Sequence, residues 1–220
     1  MSVETTPADR IALVDSHCHL DFPDFDGRLD AVREEMRVHG VTHALCISVN
    51  LAGLPKVLGL AQTYDNFFAS VGVHPDHEDP SALDPAHLVE LARHPRVVAI
   101  GETGLDYYRV SGDLEWQRER FRAHIRAARE CGKPLVIHTR QAVEDTLRIM
   151  KEEGAAKAGG VLHCFTESQD MADAALEMGF HISFSGIVTF KNASALKAVA
   201  QRVPLERLLV LDALRPGSIL

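Results

Sequence analysis

Short apolar runs alternate with amphipathic stretches along most of the chain. The runs are 11–16 (IALVDS), 42–48 (THALCIS), 67–72 (FFASVG), 96–101 (RVVAIG), 134–138 (PLVIH), 159–165 (GGVLHCF), 180–186 (FHISFSG) and 207–212 (RLLVLD). Several are β-branched and lack strict alternation, as expected of parallel strands covered on both faces. Between them, apolar residues recur about one helical turn apart. Leu29, Val32 and Met36 do so within 28–39, Leu51, Leu54, Leu58 and Ala61 within 51–65, and Phe121, Ile125 and Ala128 within 114–130. Segments 141–153, 168–178 and 192–202 read the same way. Gly40, Gly132, Gly154 and Gly179 fall just past predicted helix ends, where a left-handed residue is wanted.

Eight strands separated by helices predict an α/β fold, a TIM-type (β/α)8 barrel. An open doubly wound sheet is the alternative, although the chain has neither a Gly-x-Gly-x-x-Gly fingerprint nor a phosphate-loop Gly-Lys-Ser/Thr. No low-complexity linker interrupts the pattern, so residues 1–220 are expected to form one domain, with 1–10 extended or disordered. After the eighth run only ALRPGSIL follows, with Pro216 and Gly217, which cannot make a closing helix. The expectation is a barrel lacking its last helix, with an aberrant or truncated tail from about 211 and an apolar patch on strands eight and one.

Composition narrows the function classes. The 220 residues carry 23 Lys+Arg against 31 Asp+Glu, a formal net charge of −8. That charge gives no general attraction to a nucleic-acid backbone, so such a substrate needs local basic groups or metal. The N-terminal MSVETTPADR has no apolar stretch, and Cys18, Cys46, Cys131 and Cys164 form no Cys-x-x-Cys pair. A cytoplasmic protein without membrane attachment is expected, and a monomer is the simpler expectation.

The chemistry gathers at strand ends. His17 and His19 lie two apart at the end of the first run, and such residues face the same way on a strand. Glu102 follows the fourth run, His138 ends the fifth, His163 lies in the sixth and Asp212 ends the eighth. In a barrel these ends converge on the C-terminal face. Four imidazoles and two carboxylates without thiolate suit divalent Mg, Mn or Zn. Six ligands fit two ions, with Glu102 as the natural bridge. Each residue also has a plainer reading, as a buried histidine satisfied by backbone or as a loop carboxylate. Cys18 and Cys164 are turned away by strand alternation and read as small buried hydrophobes.

A two-ion site usually performs hydrolysis. His74 after the third run, Arg140 two past His138, and Lys191 after the seventh can contact phosphate, or are simply polar surface. Asp106 and Tyr107 can position water or substrate. Tyr107, Tyr108 and Phe190 can stack on bases or belong to local packing.

The motifs His17-x-His19, Gly72-Val73-His74-Pro75, Gly101-Glu102-Thr103-Gly104-Leu105-Asp106, His138-Thr139-Arg140, His163-Cys164-Phe165 and Gly186-Ile187-Val188-Thr189-Phe190-Lys191-Asn192-Ala193 occur in this order. With them the chain resembles the TatD family of metal-dependent hydrolases, in particular its bacterial YcfH-like members. The resemblance spans about residues 12–210. It implies a barrel of the metal-dependent hydrolase type, with His17 and His19 on one ion, Glu102 on both, and His138 and His163 on the other. It also implies a divalent-metal deoxyribonuclease acting from the 3′ end, on DNA ends that are single-stranded or on another small phosphoester. The family usually reads Leu-Leu-x-Glu-Thr-Asp after strand eight. Here Leu208-Leu209-Val210-Leu211-Asp212-Ala213 matches only if one residue is skipped. Asp212 is then the expected general base, and Glu102, the bridge, is the other expected catalytic residue. The rival readings are a metal-dependent amidohydrolase or lactonase and a catalytically impaired metal-binding paralogue.

Overall fold

A computed structural model describes residues 12–78 and 83–210. Its elements alternate: β1 (Leu13–Cys18), α1 (Leu29–Val38), β2 (Val41–Cys46), α2 (Leu54–Thr63), β3 (Phe67–Val71), α3 (Pro85–Ala92), β4 (Val97–Asp106), α4 (Glu115–Cys131), β5 (Leu135–Arg140), α5 (Val143–Glu152), β6 (Gly160–Leu162), α6 (Gln169–Glu177), β7 (His181–Phe184), α7 (Ser194–Arg202) and β8 (Leu208–Val210). The eight strands form one sheet in sequential order from β1 to β8, and every neighbouring pair is parallel. This is the expected barrel topology, seen as a curled sheet. Among the described residues no ladder joins β8 to β1. The outer strands leave Leu13, Val14 and Val210 exposed.

The six predicted helices are all present. A seventh, α3, lies between β3 and β4 where none was expected. Its signal was present in Asp84-Pro85. The Asp84 side chain accepts the Ala86 N–H at 2.9 Å, and Pro85 takes the first helical turn, a standard helix start. Leu88 and Ala92 on this helix are buried. The core runs through the sheet and the inner helix faces: Phe67, Phe121, Ile125, Leu135, Ile137, Phe165, Phe180 and Ile182 are fully buried or nearly so.

β4 positions the site. The apolar run ends at Gly101, but the strand continues through Asp106. Its ladder with β5 slips between Ile100↔Leu135 and Thr103↔Ile137, a bulge that re-aims the side chain of Glu102. Two glycines permit this packing. A Cβ on Gly72 would lie 2.5 Å from the Gly101 carbonyl carbon. Gly104 has φ +130°, and a Cβ there would meet the His138 carbonyl oxygen at 1.9 Å. Only glycine tolerates such approach. The bulge is also tied sideways, the Glu102 N–H donating to Ser48 O at 3.0 Å.

Residues 1–11, 79–82 and 211–220 lie outside the described residues. The expected extended N-terminus, the missing last helix, the aberrant tail and Asp212 therefore fall outside them as well.

Candidate metal centre

Glu102 sits buried at the centre of five histidines that arrive from four strand ends. Its two oxygens face different groups. Oε2 lies 3.3 Å from His17 Nε2, and His17 Nε2 lies 3.2 Å from His19 Nε2. Oε1 lies 3.4 Å from His74 Nε2, 3.5 Å from His138 Nδ1 and 3.9 Å from His163 Nε2. Two groups of donor atoms are close enough to hold a cation: His17, His19 and Glu102, and His74, Glu102 and His138. His163 stacks on His17, with ring centroids 3.4 Å apart and planes 5° from parallel, and so links the two groups.

The strand geometry explains the convergence. His17 and His19 are two apart at the end of β1 and both turn inward, while Cys18 between them turns to Cys46 Sγ at 3.9 Å and Leu45 O at 3.3 Å. Cys164 likewise turns away, to Ser185 Oγ at 3.2 Å. The His74 loop is pinned to the segment after β2 by the His74 N–H donating to Val49 O at 2.9 Å, and His163 to β5 by its N–H donating to Ile137 O at 2.8 Å.

Electrostatics set the charge states of the ion-free protein. Burial works against the Glu102 carboxylate, but the imidazoles of His17, His163 and His138 outweigh it and hold the carboxyl well below its usual range. Burial also opposes a charged His74. Its hydrogen bonds to Asp76 and Glu102 prevail and raise its pKa to about 9. His138 is raised in the same way, burial opposing and the Asp106 hydrogen bond prevailing. His163 is pushed well down by burial and by the adjacent His17, which leaves it neutral with a lone pair to offer.

The donor set fits divalent metal. Imidazole and carboxylate donors without thiolate suit Zn, Mn and similar ions. The His17 Nδ1 is buried with no hydrogen-bond partner among the described residues. That is a costly arrangement for a bare polar atom, while the ring's other nitrogen, Nε2, faces Glu102 and His19, where a cation would be held. Outer carboxylates orient two of the rings. His138 Nε2 donates to Asp106 Oδ2 at 3.0 Å, which turns Nδ1 toward Glu102. His74 Nδ1 donates to Asp76 Oδ1, which turns Nε2 inward. This is the usual support of metal-binding imidazoles.

The expected substrate-facing residues divide. His74, read from sequence as a phosphate contact, lies in the second donor group itself. Arg140 lies at the mouth beside β4 with its guanidinium 4.0 Å over the exposed Tyr108 ring. Lys191 and Phe190 are exposed. Tyr107 does not face the mouth. Its hydroxyl donates to Asp145 Oδ2 at 2.6 Å and accepts from Arg118 Nη1 at 3.2 Å, on α5 and α4. Asp106 Oδ2 accepts from His138 Nε2 at 3.0 Å.

Sequence reasoning missed a buried polar column on α4. Gln117 accepts the Asp106 N–H at 2.9 Å and donates to Pro75 O at 2.8 Å. Arg120 donates to His77 O at 2.7 Å. His124 Nε2 accepts the Val73 N–H at 3.0 Å while its Nδ1 donates to Arg120 O at 2.8 Å. Their spacing puts them on one helical face. Polar residues within an otherwise apolar face were the available signal. Asp76 and Arg109 were also missed.

Comparison with known proteins agrees with this geometry. The family model described as TatD related DNase matches residues 14–210. The uncharacterized metal-dependent hydrolase YcfH of Escherichia coli (strain K12) is 46% identical over 202 residues, covering 90% of this chain and 76% of that protein. The 3'-5' ssDNA/RNA exonuclease TatD of Edwardsiella piscicida is 33% identical over 201 residues, covering 90% and 77%. The crystal structure of YJJV, a TatD homolog from Escherichia coli, superposes with a TM-score of 0.81 at 28% identity, covering 90% of this chain and 78% of that one. The chain therefore belongs to the TatD-related DNase family of metal-dependent hydrolases.

Proposed function

We propose that this protein hydrolyses phosphodiester bonds with two divalent ions and removes nucleotides from the 3′ end of single-stranded DNA. The observation that carries the reading is the split of Glu102, whose two oxygens face separate histidine groups. The exonuclease relative supports the choice of bond and end. His17 and His19 would hold one ion, His138 and His163 the other, and Glu102 both. Mg, Mn and Zn all suit the set. Such ions supply Lewis acidity, acidifying water and polarising a phosphoryl oxygen.

The protein's own groups do the rest. Glu102 stays ionised in a buried site because imidazoles surround it. Asp106 fixes the tautomer of His138 by taking its Nε2 proton in a hydrogen bond. Arg140 at the mouth offers a guanidinium to backbone phosphate, and Tyr108 beside it an aromatic face. Lys191 adds a further exposed cation. Proton removal from the attacking water falls to Asp212. With a net charge of −8, contact is local to a strand end rather than along a duplex. Cys18 and Cys46 are buried, adjacent and unjoined, which supports work in the reducing cytoplasm, as a monomer.

The test is a 5′-labelled single-stranded oligonucleotide incubated with the metal-stripped protein and Mn²⁺. A ladder shortening from the 3′ end, absent without metal and absent in Glu102→Ala, is expected. Turnover of lactone or amide substrates with no nucleotide release would replace this reading with the amidohydrolase one. Metal binding with no turnover of any of them would mark an impaired paralogue.

A further inference from the structure

Two of the three histidines on the Oε1 side of Glu102, His74 and His138, are held through one residue. Arg109 follows β4 and reaches both supporting carboxylates. Its backbone N–H donates to Asp106 Oδ1 at 2.8 Å, beside the Tyr108 N–H at 3.0 Å. Its Nη1 donates to Asp76 Oδ2 at 2.7 Å. Asp106 turns to His138 with its other oxygen, and Asp76 to His74 with its other oxygen. Each carboxylate is thus a two-ended strut, with Arg109 at one end and an imidazole at the other. Asp76 lies in the loop after β3 and Arg109 in the loop after β4, so the ion pair also latches two mouth loops together.

We infer that Arg109 is a positioning residue of the metal centre, acting through Asp76 to hold His74 Nε2 on Glu102 Oε1. The guanidinium carries out this role by charge and geometry together. Asp76 is shared between a cation and an imidazole, which fixes both its oxygens. Without Arg109, Oδ2 returns to water and Asp76 is free to rotate, so the His74 ring loses its fixed tilt. His74 and His138 meet edge to face, with centroids 4.6 Å apart, so a loosened His74 also loosens its neighbour. Nothing comparable ties His17, whose Nδ1 has no hydrogen-bond partner among the described residues. Arg109 itself does not touch Glu102 or any of the five imidazoles by hydrogen bond among the described residues, and the role is indirect. A direct role is the rival, since the side chain is 52% exposed at the mouth and a substrate phosphate can bind an arginine there.

The catalytic arm of the test rests on the phosphodiesterase reading above, and the spectroscopic arm does not. Arg109→Ala, Arg109→Lys, His74→Ala and the double variant Arg109→Ala/His74→Ala are compared with the unmodified protein. In the ion-free protein, long-range ¹H–¹⁵N spectra of the imidazoles are expected to show His74 shifted by Arg109→Ala and largely restored by Arg109→Lys. His17 and His19 are expected to stay in place. With Mn²⁺, hydrolysis of bis-p-nitrophenyl phosphate should fall by about 10–100-fold in Arg109→Ala, the usual loss for an outer-shell partner. In the His74→Ala background the same change should cost nothing further, because there is no ring left to position. An unmoved His74 signal overturns the inference. So does a loss that persists in full when His74 is absent, which would make Arg109 a direct substrate contact. If the unmodified protein turns over no phosphodiester, the functional reading fails and the spectra alone decide this one.

Discussion

The two sides of Glu102 are built by different means. On the Oε2 side, His17 and His19 come from one strand end, two residues apart, and face each other at 3.2 Å. Their placement is a product of strand periodicity and of the stack between His17 and His163. On the Oε1 side, His74 and His138 come from different strands, and each ring is aimed by a carboxylate. Those carboxylates are anchored in turn by Arg109, and the Asp106 backbone by Gln117 of α4. One side is set by local geometry and the other by a network. Local geometry tolerates the loss of neighbours. A network transmits it.

Glu102→Ala removes the element common to both sides and should have the largest effect. Hydrolysis should fall to background and calorimetric binding of Mn²⁺ should weaken at both sites, with the far-UV spectrum unchanged. Retained hydrolysis would mean that the two histidine groups do not work through this carboxylate. The paired variants separate the sides. His17→Ala/His19→Ala should lose one equivalent of Mn²⁺ and keep the other, and His138→Ala/His163→Ala should do the converse. If either pair removes both equivalents together, the two groups form a single site and the comparison collapses.

The network on the Oε1 side also responds to pH, in both directions. His74 has its pKa raised from 6.5 to about 9 in the ion-free protein. The folded state therefore holds a proton that the unfolded chain has released, and this stability is present below about 6.5 and lost as pH rises through 9. His124, behind the same loop, is pushed by burial from 6.5 down to about 4. There the unfolded chain takes up the proton first, so stability falls as pH drops from 6.5 toward 4. Each shift is worth on the order of 3 kcal/mol. Urea unfolding of the ion-free protein should thus be most stable near pH 6.5. His74→Ala should shrink the alkaline limb to the part that the raised His138 supplies and leave the acid limb as it is. A stability that keeps rising to pH 9 in the unmodified protein would contradict the Asp76 contact.

The barrel was legible because most strands coincide with a short apolar run bounded by turn residues. The exception is instructive. β4 extends to Asp106 through Glu102, Thr103, Gly104 and Leu105, all buried. Polar and glycine residues there gave no apolar signal, because their burial is maintained by the site and not by the core. The convergence of His17, His19, Glu102, His138 and His163 was legible for the opposite reason. Histidine and glutamate at the ends of apolar strands have few alternative roles, and the barrel dictates where the ends meet. His74 was read as a phosphate contact, and its place beside Glu102, where Asp76 turns its Nε2, was not legible. Asp76 and Arg109 were illegible. Nothing in a loop sequence says that two residues 33 apart will meet. The same holds for Gln117 and His124, whose partners are backbone groups of distant loops.

Asp106→Asn asks how much of the Oε1 side depends on charge rather than shape. The substitution keeps the size of the side chain, and its remaining oxygen can still accept from the Tyr108 and Arg109 N–H groups. What it removes is the negative charge facing His138 Nε2, and with it the force that selects the tautomer. If the amide NH₂ turns to His138, the ring must accept at Nε2 and carry its proton on Nδ1, pointed at Glu102. A proton there competes with a cation. The expected result is Mn²⁺ affinity reduced by about 10–100-fold at the His138 site, with the His17/His19 site unaffected. Thermal stability should change little, since the hydrogen bonds of the loop survive. Equal weakening of both sites would show that the Glu102 carboxylate couples them, and that the contrast between local geometry and network ends at the outer shell.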